Sequence, residues 1–331
     1  MSIKQNLLVT LSDKNYLEQA KQLFSSVYWN AGWRGDYMLL AHEVPEADLE
    51  WFRKKGILIW QAESLSAKGL GSWQGSYSSS VTSKLRLFSP EFKRWKTVVF
   101  VDADCIVRYP LDALTETRHF AAVHDWFPAA TIGGQAYKPE SMDDSEYETL
   151  FRGYDLTSTA FNTGVFAFNS DIIDGHTQAR LEEISLKYDQ VSVFPEQLWL
   201  NLYFYKTWER LPMEYNFFAS YLHTMRRLPK DQVDGVVLHF PRCQDKAVLR
   251  CWDRNDAFYD EWKANLERAE LIDLEHIPQP GRHWPGSRRL FVWRWRLRMA
   301  LRSDYLRFYR NKLSLRSRVG GVLSALKFSL A

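Results

Sequence analysis

Two carboxylates separated by one residue, Asp102 and Asp104, directly follow the strongest strand signal in the chain, residues 97–101 (TVVFV). A strand buried on both faces cannot easily hold a charge, so the pair belongs where the strand leaves its sheet. Ligand crevices of open α/β sheets form at that end. Side chains two apart on an extended chain point the same way, so both carboxylates are expected to reach one cation. Hard divalent ions take oxygen ligands and bridge to phosphate oxygens. The same tripeptide also arises by chance in solvated loops; its place after the apolar run is what raises the odds of a site. His239 lies in a second apolar run, residues 235–240 (GVVLHF). A neutral imidazole beside two carboxylates suits Mn²⁺ better than Ca²⁺, although a lone histidine at a strand end is more often simply hydrogen-bonded. Lys84 sits on a helical pattern before the key strand, where a cation reaches phosphate or ribose, or else is solvated. Asn162 stands in FNTG, where Gly164 implies a close backbone approach. Glu196 and Gln197 open a helix after Pro195, a position where an acid also serves as a dipole partner.

These residues need a frame. Residues 6–11 (NLLVTL), 37–42 and 56–60 read as strands, with helical patterns following Ser12–Asp13 and over 47–55. That alternation predicts an α/β sheet with parallel strands. Residues 81–88 read as helical, 161–169 (FNTGVFAFN) as a strand, 178–188 as a helix and 196–205 as an amphipathic helix. Residues 65–80 read as a loop, and 125–160 show no clear period. Neither a GxGxxG nor a GxxxxGK[ST] motif occurs, which argues against dinucleotide and P-loop chemistry. GxSxG and HExxH are absent too.

Composition bounds the class. The chain has 331 residues, 46% hydrophobic and 25% charged, enough apolar material for a sizeable core. Three cysteines without a CxxC pair argue against a disulfide framework or zinc ribbon. No apolar run of about 18 residues occurs, so no bilayer span is expected, and the N-terminus lacks a signal-peptide pattern; a cytoplasmic location is the expectation. The net charge of +3 conceals an asymmetry: from Arg282 onward thirteen Arg or Lys face one acid, Asp304, leaving the preceding chain acidic.

In chain order, six segments together resemble glycosyltransferase family 8, the family of glycogenin and bacterial lipopolysaccharide galactosyl- and glucosyltransferases. They are residues 8–27 (LVTLSDKNYLEQAKQLFSSV), 83–107 around DAD, 161–169 (FNTGVFAFN), 196–201 (EQLWLN), 211–217 (LPMEYNF) and 236–240 (VVLHF). The resemblance covers roughly residues 5 to 255. It implies a GT-A fold: a Rossmann-like, mixed but mostly parallel sheet flanked by helices. It also implies a retaining hexosyltransferase using a UDP-sugar, glucose or galactose, with Mn²⁺ (or Mg²⁺) held by Asp102, Asp104 and His239. By the same resemblance Thr10 and Tyr16 contact the uracil, Asp102 also touches the ribose, and Lys84 holds the donor. Asp125, Asn162 and Gln197 face the transferred sugar, and Lys246 binds the diphosphate. Glu196 stands where the family has an aspartate, one methylene shorter, and with Gln197 and Asp125 makes up the catalytic candidates that the resemblance implies. The family's HFxGxxKPW becomes HFPRCQDKAVLRCW, with no glycine and a longer gap to Lys246, so Arg242 is an alternative cation.

Residues 1–277 are expected to form the catalytic domain and 278–331 a basic helical extension, set off by Pro278, Pro280, Gly281, Pro285 and Gly286. Leu290, Trp293, Leu297, Leu301, Tyr305 and Phe308 recur at helical spacing beside a ridge of Arg294, Arg298 and Arg302. Such a helix suits an anionic membrane surface, contacted through residues 290–328, or else packs on the acidic body. Nucleic acid is not an expected partner, because the basic residues are confined to the tail. The expected partners are a UDP-sugar and a glycan or glycolipid acceptor of surface-glycan synthesis, at the inner face of the membrane. The rival readings are a degenerate UDP-sugar binder, a nucleotidyltransferase and a scaffold.

Overall fold

The computed structural model describes residues 4–62, 79–126, 129–242 and 245–284. Its strands are β1 Lys4–Ser12, β2 Asp36–His42, β3 Leu58–Ala62, β4 Trp95–Val101, β5 Cys105–Val107, β6 Phe120–His124, β7 Phe161–Asn169, β8 Glu209–Arg210, β9 Phe217–Phe218 and β10 Val237–His239. The α-helices are α1 Leu17–Ser26, α2 Glu50–Lys54, α3 Asp144–Leu150, α4 Thr177–Tyr188, α5 Pro195–Tyr203, α6 Ala219–Arg226 and α7 Tyr259–Arg268.

Seven strands form one sheet in the order β3-β2-β1-β4-β7-β6-β8. The β3-β2-β1-β4 half is parallel, whereas β7 runs antiparallel to both β4 and β6. Strand order reverses between β1, whose other neighbour is β2, and β4. A crevice must therefore open beyond the carboxyl ends of β1 and β4. A second, smaller sheet in the order β5-β10-β9 flanks that crevice.

Alternation sorts the apolar side chains onto two faces. Leu7 and Val9 of β1 join Val98 and Phe100 of β4 under α4, α5 and the 3-10 helix Ser79–Phe88. Leu8, Val99 and Val101 face α1 and α2 on the other side. The many aromatics are largely core. Phe100 stacks on Phe166 at 4.9 Å, and Phe120 on Phe204 at 4.1 Å. Full burial of each ring contributes about 1.5–3 kcal/mol.

Several local expectations need correction. The helix expected over 196–205 is α5, but it is not amphipathic in its setting: it is buried along Pro195–Leu202 and packs against the sheet and α4. The stretch 125–160 holds α3, which buries no residue and so has no apolar period. Its signal is a capping box, with Asp143 accepting from the Glu146 amide and Glu146 accepting in return. The expected loop at 65–80 lies almost wholly outside the described residues. So does the basic helix at 290–328. The first residues of the expected extension pack on the body, with Trp284 against Tyr109 at 5.1 Å and Pro278 and Pro280 against Gly32.

Candidate active site

The carboxylate pair does not continue the strand. Asp102 and Asp104 occupy the turn between β4 and β5, so strand alternation is not what orients them. The turn is pinned at both ends: the Asp102 amide donates to Gly164 O at 2.8 Å, and the Phe240 amide donates to Asp104 O at 2.9 Å. These two bonds tie the turn to β7 and to the end of β10.

Lys84, 3% exposed, sends its ammonium to both Asp102 oxygens at 2.9 and 3.1 Å and to Glu196 Oε1 at 3.5 Å. Burial opposes the charge, but Asp102, Glu196 and Asp104 outweigh it and hold the ammonium above its usual range. Burial also lifts Asp102 above the ordinary carboxylate range, against the pull of Lys84. Glu196 further accepts from the Thr163 hydroxyl at 3.1 Å. Its longer side chain is thus spent reaching Lys84 and β7.

Asp104 Oδ1 lies 3.2 Å from His239 Nε2, and Cys105 Sγ lies within 4.8 Å of both groups. Asp102, on the same turn, keeps 24% of its side chain exposed. A carboxylate oxygen facing an imidazole nitrogen is a hard O/N pair that suits Mn²⁺ or Mg²⁺; the third group clustered with it is the Cys105 thiol, not Asp102, whose two oxygens lie against Lys84. Beneath the ring sits Gly164. A Cβ there would fall 2.3 Å from His239 Cε1 and 2.7 Å from Nδ1, so the close approach implied by FNTG is to the histidine itself.

A polar network adjoins this pair. Gln197 Nε2 donates to Asp125 Oδ2 at 2.7 Å, and Gln197 Oε1 accepts from Asn162 Nδ2 at 3.0 Å and the Thr163 amide at 3.1 Å. Asn162 Oδ1 accepts from the Gly164 amide and from Asn216 Nδ2, both at 2.8 Å. Burial pushes the Asp125 carboxyl up to about 7, against hydrogen bonds from the Trp126 amide, Gln197 and Asn162. Asn216, fully buried, was not singled out from the sequence. Lone asparagines carry no motif, and its place beside His239 exists only once β9 pairs with β10.

At the end of β1, Thr10 is fully buried and its hydroxyl has no partner among the described residues. The Tyr16 hydroxyl accepts from Arg250 at 2.8 Å, and its ring meets Trp252 edge-on at 5.8 Å. Burial, followed by Asp104, raises the Tyr16 phenol above its usual range. Lys246 is exposed; the cation brought to Tyr16 is Arg250. Its signal was present in the sequence, since Arg250-Cys251-Trp252 keeps the cation and tryptophan of the KPW pattern.

The doubly flanked, mostly parallel sheet and the crevice at its switch point are those of a GT-A glycosyltransferase. LgtC, a galactosyltransferase solved with donor and acceptor sugar analogues, superimposes with a TM-score of 0.58 at 18% identity over 82% of this chain and 98% of that one. WbbM, a bifunctional glycosyltransferase, gives 0.57 at 18% identity over 82% of this chain, which spans about half (52%) of WbbM. GlyE from Streptococcus pneumoniae TIGR4 gives 0.54 at 20% identity over 82% of this chain and 62% of that one. No curated protein sequence matches. The family model for glycosyl transferase family 8 matches residues 7–252, and the chain belongs to that family. Among the described residues no helix is long and apolar enough to cross a membrane.

Proposed function

We propose that the chain is a metal-dependent, retaining hexosyltransferase that moves glucose or galactose from a UDP-sugar to a glycan or glycolipid acceptor of surface-glycan synthesis. The observation that carries this reading is the convergence of Asp104 and His239 at 3.2 Å beside the Asp102–Lys84 pair, at the switch-point crevice. A carboxylate oxygen and an imidazole nitrogen this close share either a proton or a cation. Asp102, Asp104 and His239 would hold Mn²⁺ or Mg²⁺, which would supply a Lewis acid to neutralise charge on the departing UDP.

The chain's own residues divide the remaining work. Thr10 offers its unpartnered hydroxyl, and Tyr16 its ring, to the uracil. Arg250, held by Tyr16, supplies the cation for the diphosphate in place of Lys246. Lys84 positions Asp102. Asn162, Gln197 and Asp125 line the place of the transferred sugar, with Gln197 fixed from both sides by hydrogen bonds. Glu196 is a structural partner of Lys84 in this arrangement. Residues 290–328 dock the enzyme peripherally on an anionic, cytoplasmic membrane face, and residues 1–277 form the catalytic unit; the helix pattern and charge of the tail support this part.

Calorimetry of UDP with and without Mn²⁺ tests the reading. Metal-dependent UDP binding that disappears in Asp104→Ala is expected. Metal-independent or absent binding would leave a scaffold in its place.

A further inference from the structure

We propose that Asn216 is a positioning residue that holds His239 as the Nδ1–H tautomer, leaving the Nε2 lone pair aimed at Asp104 and the metal. This rests on the reading of His239 as a ligand.

The argument starts from a group whose role cannot be reversed. The Gly164 amide can only donate, and it lies 2.8 Å from Asn162 Oδ1, so that atom must be the carbonyl oxygen. Asn162 then presents its NH₂ to Gln197 Oε1 at 3.0 Å, an oxygen fixed independently by the Thr163 amide at 3.1 Å. With an oxygen facing Asn216, the group Asn216 sends there at 2.8 Å must be its NH₂. Its own oxygen is therefore turned to His239 Nδ1 at 2.7 Å. A carbonyl oxygen cannot donate, so Nδ1 carries the proton. The neutral ring is left with its lone pair on Nε2, 3.2 Å from Asp104 Oδ1.

Reversing any one amide opposes two donors or two acceptors somewhere in this buried chain, at a cost of about 1–3 kcal/mol for each unmade bond. Asn216 is 0% exposed and His239 3%, so water does not relieve the conflict. Two backbone amides of β7 thus determine, through Asn162 and Asn216, which nitrogen of His239 is free. The same chain ends at Gln197 and Asp125, linking the metal side of the site to the sugar side. A histidine in water favours the opposite tautomer, with the proton on Nε2, so the assignment has a direct signature.

The test is ¹⁵N NMR of His239 in the metal-free protein, titrated until the ring is neutral, with Mn²⁺ affinity measured separately. Wild type is expected to show Nδ1 protonated and Nε2 unprotonated. Asn216→Ala should release the ring towards the Nε2–H form and weaken Mn²⁺ binding about 10–100-fold, the usual effect of losing the partner that orients a ligating histidine. Asn216→Asp keeps an acceptor for Nδ1 while losing the bond to Asn162; it should retain the Nδ1–H tautomer and bind Mn²⁺ more tightly than Asn216→Ala. A residue that merely braced Asn162 would weaken both variants equally. The proposal is overturned by an Nε2–H tautomer in wild type, which needs no variant to fold, or by equal Mn²⁺ affinities in the two variants. Absent sugar transfer with the Nδ1–H tautomer intact would count against the reaction assigned above and leave the role of Asn216 standing.

Discussion

Gly164 supports His239 by what it lacks: a methyl group at this position would lie 2.3 Å from the imidazole Cε1. The ring can face Asp104 only because β7 offers bare backbone beneath it. Gly164→Ala should therefore push the ring off its position, destabilise the fold by about 1–3 kcal/mol, the usual range for overpacking, and weaken Mn²⁺ binding at least about tenfold. Thermal unfolding and a Mn²⁺ titration followed by electron paramagnetic resonance check the two effects. A variant with unchanged metal affinity would show that His239 does not need this support.

Lys84 is the buried counter-charge of two carboxylates. Replacing it with methionine leaves Asp102 and Glu196 facing each other's field without compensation, and removal of one partner from a buried pair costs about 3–5 kcal/mol. Denaturant unfolding should show a loss of that order. Pairing the change with Glu196→Gln should recover part of it, because one of the stranded charges is then gone.

Asp125 makes stability depend on pH. Its carboxyl is pushed up to about 7 by burial, against about 3.9 in an unfolded chain. Between those values the folded state holds a proton that the unfolded state has lost. The contribution is therefore fully present below pH ~4 and declines as pH rises to about 7. Asp125→Asn removes the titration. Relative to wild type, the variant should gain stability progressively across that window, read from unfolding midpoints at successive pH values. A difference that is flat with pH would contradict the placement of this carboxyl.

Arg250 rather than Lys246 should matter for the nucleotide. Arg250→Ala removes a cation held against Tyr16 and should weaken UDP binding about tenfold or more, since a charged hydrogen bond contributes about 1.5–3 kcal/mol. Lys246→Ala, at an exposed position, should change it by less than about twofold. Calorimetry on both variants decides, and the reverse order would favour Lys246, the cation that the family resemblance implies.

The contrast between those two cations shows where the sequence could be read and where it could not. Long-period features were legible: the NLLVTL, TVVFV and FNTGVFAFN runs became β1, β4 and β7, since strands buried on both faces read as apolar runs. DAD after TVVFV located the crevice because a charge pair cannot stay inside such a strand. Illegible were the parts made by tertiary pairing. Asn216 reaches His239 only because β9 lies beside β10, and Lys84 meets Glu196 only because the Ser79–Phe88 helix crosses α5 above the same sheet face. Spacing counted from His239 leaves the phosphate cation open between Lys246 and Arg242, whereas the fold brings a third, Arg250, to Tyr16 with Trp252 beside it.

The measurement closest to the central claim is UDP release from a panel of UDP-sugars with Mn²⁺, comparing wild type with the Asp102→Ala/Asp104→Ala double variant. Turnover of one hexose donor, abolished by EDTA and in the double variant, with the anomeric configuration kept in the product, is the predicted result. Release that persists in the double variant, or no turnover of any donor alongside no metal-dependent UDP binding, would contradict the account.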